Sequence, residues 1–172
     1  VYNVRVDHIA EDVPPVIRAE ILAFLNTYNF QHVTAITDKM WLRTTFTDFF
    51  NNRRPYDWLK AQVYAKAGAE RWNLTGVVAV AMTEPNRIHT GALGNYLLKI
   101  GQTKCRTIHT YGTGMMQPSC RMNLEEKILD IKTVLANTFP PNYDDLKRTD
   151  VSMIPQHPNC HHVMAPLVGV EI

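Results

Sequence analysis

The segment His157-Pro158-Asn159-Cys160-His161-His162 gathers more ligand chemistry than any other stretch of the chain. A His-x-x-Cys turn can set an imidazole and a thiolate on one metal ion, and Cys105, His109 and Cys120 are the residues from elsewhere that could complete a tetrahedral zinc site. Spacing argues against that full set. On a strand Cys105 and His109 would stand about 13 Å apart, too far to share an ion, and only a helix would bring them together. No Cys-x-x-Cys pair offers a second close couple. The expectation is therefore free cysteines and surface or interface histidines, with no metal and no cofactor assigned.

Nucleophilic chemistry is equally short of a signature. A catalytic thiolate needs a nearby histidine and an orienting acid or amide. Cys120 follows Pro118-Ser119, and His109 or His162 would reach it in some folds, but the local patterns of cysteine enzymes are missing. There is no Gly-x-Ser-x-Gly elbow. Gly112-Thr113-Gly114 lacks the Gly-Lys-Ser/Thr ending of a phosphate loop and reads as a turn, with Met115 and Met116 as gap-filling residues.

What remains is charge. The chain carries 18 Lys and Arg against 16 Asp and Glu, a net charge of only +2. Its distribution is uneven: residues 58–121 hold 8 basic and 2 acidic side chains, residues 1–57 hold 6 and 7, and residues 122–172 hold 4 and 7. A local excess of this kind creates a field that attracts phosphates or acidic partners even when the whole protein is nearly neutral. The candidate nucleic-acid-binding residues are Arg53, Arg54, Lys60, Tyr64, Lys66, Arg71, Lys104 and Arg106. Tyr56, Tyr96 and Tyr111 lie among them, which pairs cations for phosphates with flat rings for bases, the combination that single-stranded nucleic acid takes without sequence preference. Arg and Lys beside aromatic rings also make ordinary surface packing contacts, and no RNA-recognition, KH or zinc-finger pattern accompanies them.

The elements that must position these residues read as follows. Asp12 is a suitable cap for a helix over about residues 14–28, with Pro14 and Pro15 at its start and Ile17, Ile21, Phe24, Leu25 and Tyr28 at helical spacing. A second helix from Thr37 or Asp38 to Asn51-Asn52 carries Met40, Trp41, Phe46, Phe49 and Phe50. A third, from Pro55 to about Trp72, is expected to pack through Trp58, Ala61, Ala65, Gly68 and Trp72 and to turn Lys60, Tyr64, Ala67 and Arg71 to a neighbouring face. Val77 to Met82 is a short apolar run bounded by Gly76 and Glu84-Pro85-Asn86, which reads as a buried strand. Tyr96–Ile100 and Thr103–Tyr111 read as a hairpin about Gly101-Gln102, slightly ahead of a competing helix over Ala92–Ile100. A last helix spans about residues 124–138, capped by Asn123 with Glu126 at its third position and stopped by Pro140-Pro141.

The resulting expectation is an α+β fold: a predominantly helical N-terminal half, a small β-hairpin or sheet in the middle, one further helix and an extended C-terminal arm. Residues 1–139 form the domain and residues 140–172 the Pro/His-rich arm, which is held by the domain's own surface or by another molecule. A composition of 45% hydrophobic and 20% charged residues excludes a disordered chain. Residues 151–170 lack charge but contain Pro155, Pro158 and Pro166, which excludes a transmembrane helix there. Val1–Asp7 alternate polar and apolar residues, unlike a signal peptide, and a start without Met points to a removed leader, a cut polyprotein or a trimmed end. Three cysteines are too few and odd in number for a secreted disulfide framework, so a reducing, intracellular or virion setting is expected, with an organellar one as the alternative. The sequon at Asn73-Leu74-Thr75 carries little weight in such a setting.

Functionally these features lean away from an enzyme. They describe a structural subunit of a larger assembly, coat- or nucleoprotein-like, that binds nucleic acid through its basic middle and meets copies of itself or other subunits through aromatic helix faces and the C-terminal arm. The alternatives are an accessory subunit of a multiprotein complex and a small zinc- or thiol-dependent enzyme built on Cys160 and its neighbouring histidines.

Overall fold

The computed structural model describes residues 2–30, 36–70, 74–110, 120, 123–125, 127–142, 146, 148, 150–156 and 160–172, with side chains omitted for 36, 69–70, 74–80 and 82. A 3-10 turn, Val6–His8, leads into α1 (Ile9–Asp12), α2 (Pro15–Leu25), α3 (Ile36–Asn51), α4 (Tyr56–Glu70) and the long α5 (Leu74–Lys99). Then come β1 (Lys104–His109), β2 (Ile128–Asp130), α6 (Ile131–Thr138) and β3 (His162–Ala165). The strands make one antiparallel sheet in the order β2-β1-β3. The α+β architecture, helical first and with a small central sheet, is the one expected.

The first two long helices follow their periodicity. Ile17, Ile21 and Leu25 of α2 and Leu42, Phe46, Phe49 and Phe50 of α3 are fully buried. Two details differ. Asp12 closes α1 and accepts hydrogen bonds from the Arg5 amide and guanidinium at 3.1 and 2.9 Å, while Pro14 takes the cap position of α2. On α4 the buried stripe is Leu59, Val63 and Ala67, and the small residues Ala61, Ala65 and Gly68 face solvent. Larger side chains remove more apolar area from water, so they rather than the alanine strip turn inward.

Residues 77–82 belong to α5 and are not a strand. This helix passes through Pro85 and packs on α2, α4, α6 and β3, so it is the central element of the fold. Residues 83–94 of this helix are buried all round, Thr83, Glu84, Asn86, Arg87, His89 and Thr90 included, so it carries no polar face whose period would mark it as a helix. Close approach is built in at Gly91, where an added Cβ would fall 2.4 Å from the Phe24 ring and 2.9 Å from Phe139.

Gly101 is not a hairpin turn. With φ of +85° it ends α5: its amide bonds Leu98 O at 3.1 Å, and the Gln102 amide bonds Leu97 O at 2.9 Å. This paired closure needs a residue in the left-handed region, where glycine pays no steric cost. The helical alternative over residues 92–100 is thus the one adopted.

The last helix is also shorter than its sequence suggests. Ile128–Asp130 pair with Arg106–Lys104 as an edge strand, and Asp130, not Asn123, caps α6 by accepting from the Thr133 amide at 2.9 Å. The C-terminal segment supplies β3, which lies along β1 with His162 opposite His109 and Ala165 opposite Arg106. Among the described residues no helix is long and apolar enough to cross a membrane.

Candidate functional site

The predicted basic residues divide between two parts of the fold. Arg53, Arg54, Lys60, Tyr64 and Lys66 lie on or just before α4, which packs on α3 and α5; Lys104 and Arg106 lie on β1, between β2 and β3. Arg71 lies outside the described residues, as do Gly112-Thr113-Gly114, Tyr111, the Asn73 sequon position and His157. Arg87, which adds to the positive count of the middle third, points inward and is buried against Glu84 at 2.9 Å.

On α4 the cations and rings alternate. Arg54 lies 5.2 Å from the Trp58 ring and Lys60 5.3 Å from the Tyr56 ring, within cation–π range. Tyr56, Lys60 and Tyr64 follow at four-residue intervals along one side of the helix, and Tyr64 is 46% exposed. Burial pushes the Tyr56 hydroxyl far above the ordinary phenol range, with the Tyr64 and Asp57 side chains adding to it, so the ring stays neutral. Each described cation also has a partner: Arg54 meets Asp48 at 3.4 Å, Lys60 meets Asp57 at 2.8 Å, and Lys66 meets Asp38 at 3.6 Å. Arg53, in the left-handed region at φ of 52°, donates to Glu11 O at 2.8 Å. Lys104 meets Asp130 at 3.6 Å and Arg106 donates to Pro166 O at 2.9 Å.

A second cluster forms where β1 and β3 meet. Cys160 and His162 are two residues apart on extended chain, so their side chains share a face, and Cys120 comes to them from the segment between β1 and β2. Cys120 Sγ lies 3.5 Å from Cys160 Sγ and 2.8 Å from His162 Nδ1, and Cys160 Sγ lies 3.9 Å from the same nitrogen. The His109 ring stands edge-on to His162 at 4.9 Å between centroids. α5 holds this strand in place, because the Asn86 amide donates to His162 O at 2.9 Å.

The two thiols are hydrogen-bonded to each other. That bond draws the Cys160 thiol well below the ordinary thiol range against the opposing effect of burial, with the His162 ring and the backbone around Gln156 and His162 adding to it. The same hydrogen bond, then burial, pushes Cys120 far up. Burial, followed by the His162 and His161 rings, lowers His109 and favours its neutral form. Cys105 is no part of the cluster: its Sγ faces Leu129 O at 3.7 Å, and burial pushes its thiol up to about 12.

The sequence singles out Cys160 and the residue types of the cluster; the structure groups Cys120, Cys160 and His162 and leaves Cys105 apart, while His157 lies outside the described residues. Cys-x-His at strand spacing is the signal that joins Cys160 to His162, and the choice of Cys120 over Cys105 is made only by the fold. No protein-family model, curated protein or solved structure matches the chain.

Proposed function

We propose that the protein is a non-enzymatic structural subunit of a larger assembly, intracellular or virion-borne, that binds single-stranded nucleic acid through α4 and the central strand β1. The observation that carries this reading is the Tyr56-Lys60-Tyr64 row, flanked by Arg53 and Arg54: an exposed ring for stacking beside cations for phosphates on one side of a helix. Lys66, turned toward Asp38 on α3, and Arg71, which lies outside the described residues, complete the proposed set on this segment, and Lys104 and Arg106 supply phosphate contacts from β1. On contact with a phosphate chain, Lys60 and Arg54 exchange their exposed aspartate partners for phosphate oxygens; such surface pairs hold little energy, about 0–1 kcal/mol each. Phe46, Phe49 and Phe50 are enclosed in the core, so contacts with other subunits rest on the exposed Met40, Ile128 and Val168 rather than on the aromatic face of α3.

Fluorescence anisotropy with a labelled single-stranded oligonucleotide, repeated across salt concentrations, tests the reading. Lys60→Ala should weaken binding to all sequences alike and flatten the salt slope by roughly one phosphate contact. Tyr64→Ala should cost about 1–3 kcal/mol of binding with the salt slope retained. Affinity and slope unchanged in both variants would remove α4 from the site.

A second reading follows from the pairing of every described candidate cation. A surface whose cations are already engaged, four by carboxylates and Arg53 and Arg106 by backbone carbonyls, suits an accessory subunit of a protein-only complex, and co-purification that persists through high salt and nuclease treatment would favour it.

A further inference from the structure

We infer that Cys120, Cys160 and His162 are three ligands of a structural zinc ion, with His109 in the fourth position. Three ligand atoms from two distant segments converge so that all lie within 4.8 Å of one another. In a tetrahedral site, zinc–sulfur bonds of about 2.3 Å and zinc–nitrogen bonds of about 2.0 Å set the sulfurs about 3.8 Å apart and sulfur and nitrogen about 3.5 Å apart. The sulfurs stand 3.5 Å apart, slightly inside their edge, and the sulfur–nitrogen distances of 2.8 and 3.9 Å bracket theirs.

Chemistry and burial select the ion and its role. Two thiolates and imidazole are the donor set that favours zinc over magnesium or calcium, which take oxygen ligands. Binding replaces the thiol protons, which pass to solvent, and the dipositive ion meets two thiolate charges, so the buried centre ends neutral. Cys120 and Cys160 are each 1% exposed and His162 is fully buried. A nucleophilic cysteine sits where substrate can reach it, whereas a closed site suits a structural ion. His162 Nε2 is buried with no hydrogen-bond partner among the described residues, so no described contact there fixes the ring in a tautomer that blocks Nδ1. His109 pairs with His162 across the β1–β3 ladder with its ring 4.9 Å away between centroids, outside the 4.8 Å group of ligand atoms, so it reaches the fourth position by turning its ring toward the ion. The ion would fasten β3 to β1 and to the Cys120 segment, uniting parts of the chain that hydrogen bonds alone join loosely.

The test is metal analysis of the full chain purified without chelator under reducing conditions, followed by chelation and reconstitution with cobalt. The expected result is one zinc per chain, with thiolate-to-cobalt charge-transfer bands and tetrahedral ligand-field bands after replacement. Cys120→Ser, Cys160→Ser and His109→Ala should each weaken zinc binding by more than about a hundredfold, beyond what loss of a supporting group costs. Cys105→Ser should leave the stoichiometry unchanged. Cys120→His, which keeps the ligand count, should retain zinc and so separates loss of a ligand from loss of the fold. Substoichiometric metal in the parent protein, cobalt spectra without thiolate bands, or a Cys120–Cys160 disulfide recovered in place of metal would each overturn the assignment. Full zinc retention in both serine variants would do the same.

Discussion

Arg87→Met asks whether the centre of the fold depends on a buried charge pair. The Arg87 side chain is 2% exposed and that of Glu84 is 0% exposed, and their atoms meet at 2.9 Å within one turn of α5. Tyr28 donates to the other Glu84 oxygen, and Arg87 donates to Thr138 O at 3.1 Å beneath the Phe139 ring. At 2.9 Å and an effective dielectric near 20 the gross attraction is about 6 kcal/mol, most of it offset by the desolvation of both ions. Removing Arg87 alone strands the carboxylate, so the loss should approach 3–5 kcal/mol. For a domain of this length that corresponds to a fall in Tm of roughly 6–20 °C. Glu84→Gln keeps an acceptor for Tyr28 but strands the guanidinium, and should cost a similar amount. The double variant removes both charges and should be no worse than the worse single variant, giving a coupling of at least about 2 kcal/mol. Urea unfolding at pH 7, followed by circular dichroism, measures all three, with the exposed Arg54→Met as a control below about 1 kcal/mol. Single losses under about 1 kcal/mol, or a double loss equal to the sum of the singles, would refute the reasoning.

Further expectations rest on other features. His89 Nε2 and the Tyr2 hydroxyl share a hydrogen bond at 2.5 Å, and burial pushes the imidazole down from 6.5 to about 3. Because the folded value lies below the unfolded one, its contribution is complete above pH 6.5 and is lost as pH falls toward 3. At pH 5 the loss is about 2 kcal/mol, and His89→Gln should remove that part of the pH dependence in denaturant titrations. Gly91→Ala should destabilise by about 1–3 kcal/mol despite the better helix propensity of alanine, because the new methyl meets Phe24 and Phe139; a gain in Tm would show that those rings yield easily. Gly101→Ala should cost about 1–2 kcal/mol for the left-handed backbone at φ of +85°, whereas unchanged stability would mean that the closure of α5 relaxes without loss.

The sequence discloses elements whose burial is one-sided. α2 and α3 show their inward stripes because solvent lies on the other side, and Asp130, Gly101 and Pro85 mislead because each admits two local readings. Pro85 is compatible with a turn, and only the enclosure of α5 by α2, α4, α6 and β3 keeps the helix running through it. Residues 128–130 have helical spacing with Leu124, Ile131 and Leu135, yet the open edge of β1 takes them as a strand. The thiol cluster shows the same limit. Its residue types are visible in the sequence, but contact between Cys120 and Cys160 arises from a chain path of forty residues, which no local rule supplies.

The order of the sheet bears on how the protein is made. β1 is the middle strand, and both of its neighbours are synthesised after it, β2 first and β3 only when residue 165 has left the ribosome. Until then the chain holds a helical unit of mainly local contacts attached to a strand with one flank open. Pairing across so long a loop is slow compared with helix formation. β3 closure is therefore the natural rate-limiting step of folding, and nascent chains stalled before it would be the species most exposed to edge-to-edge association.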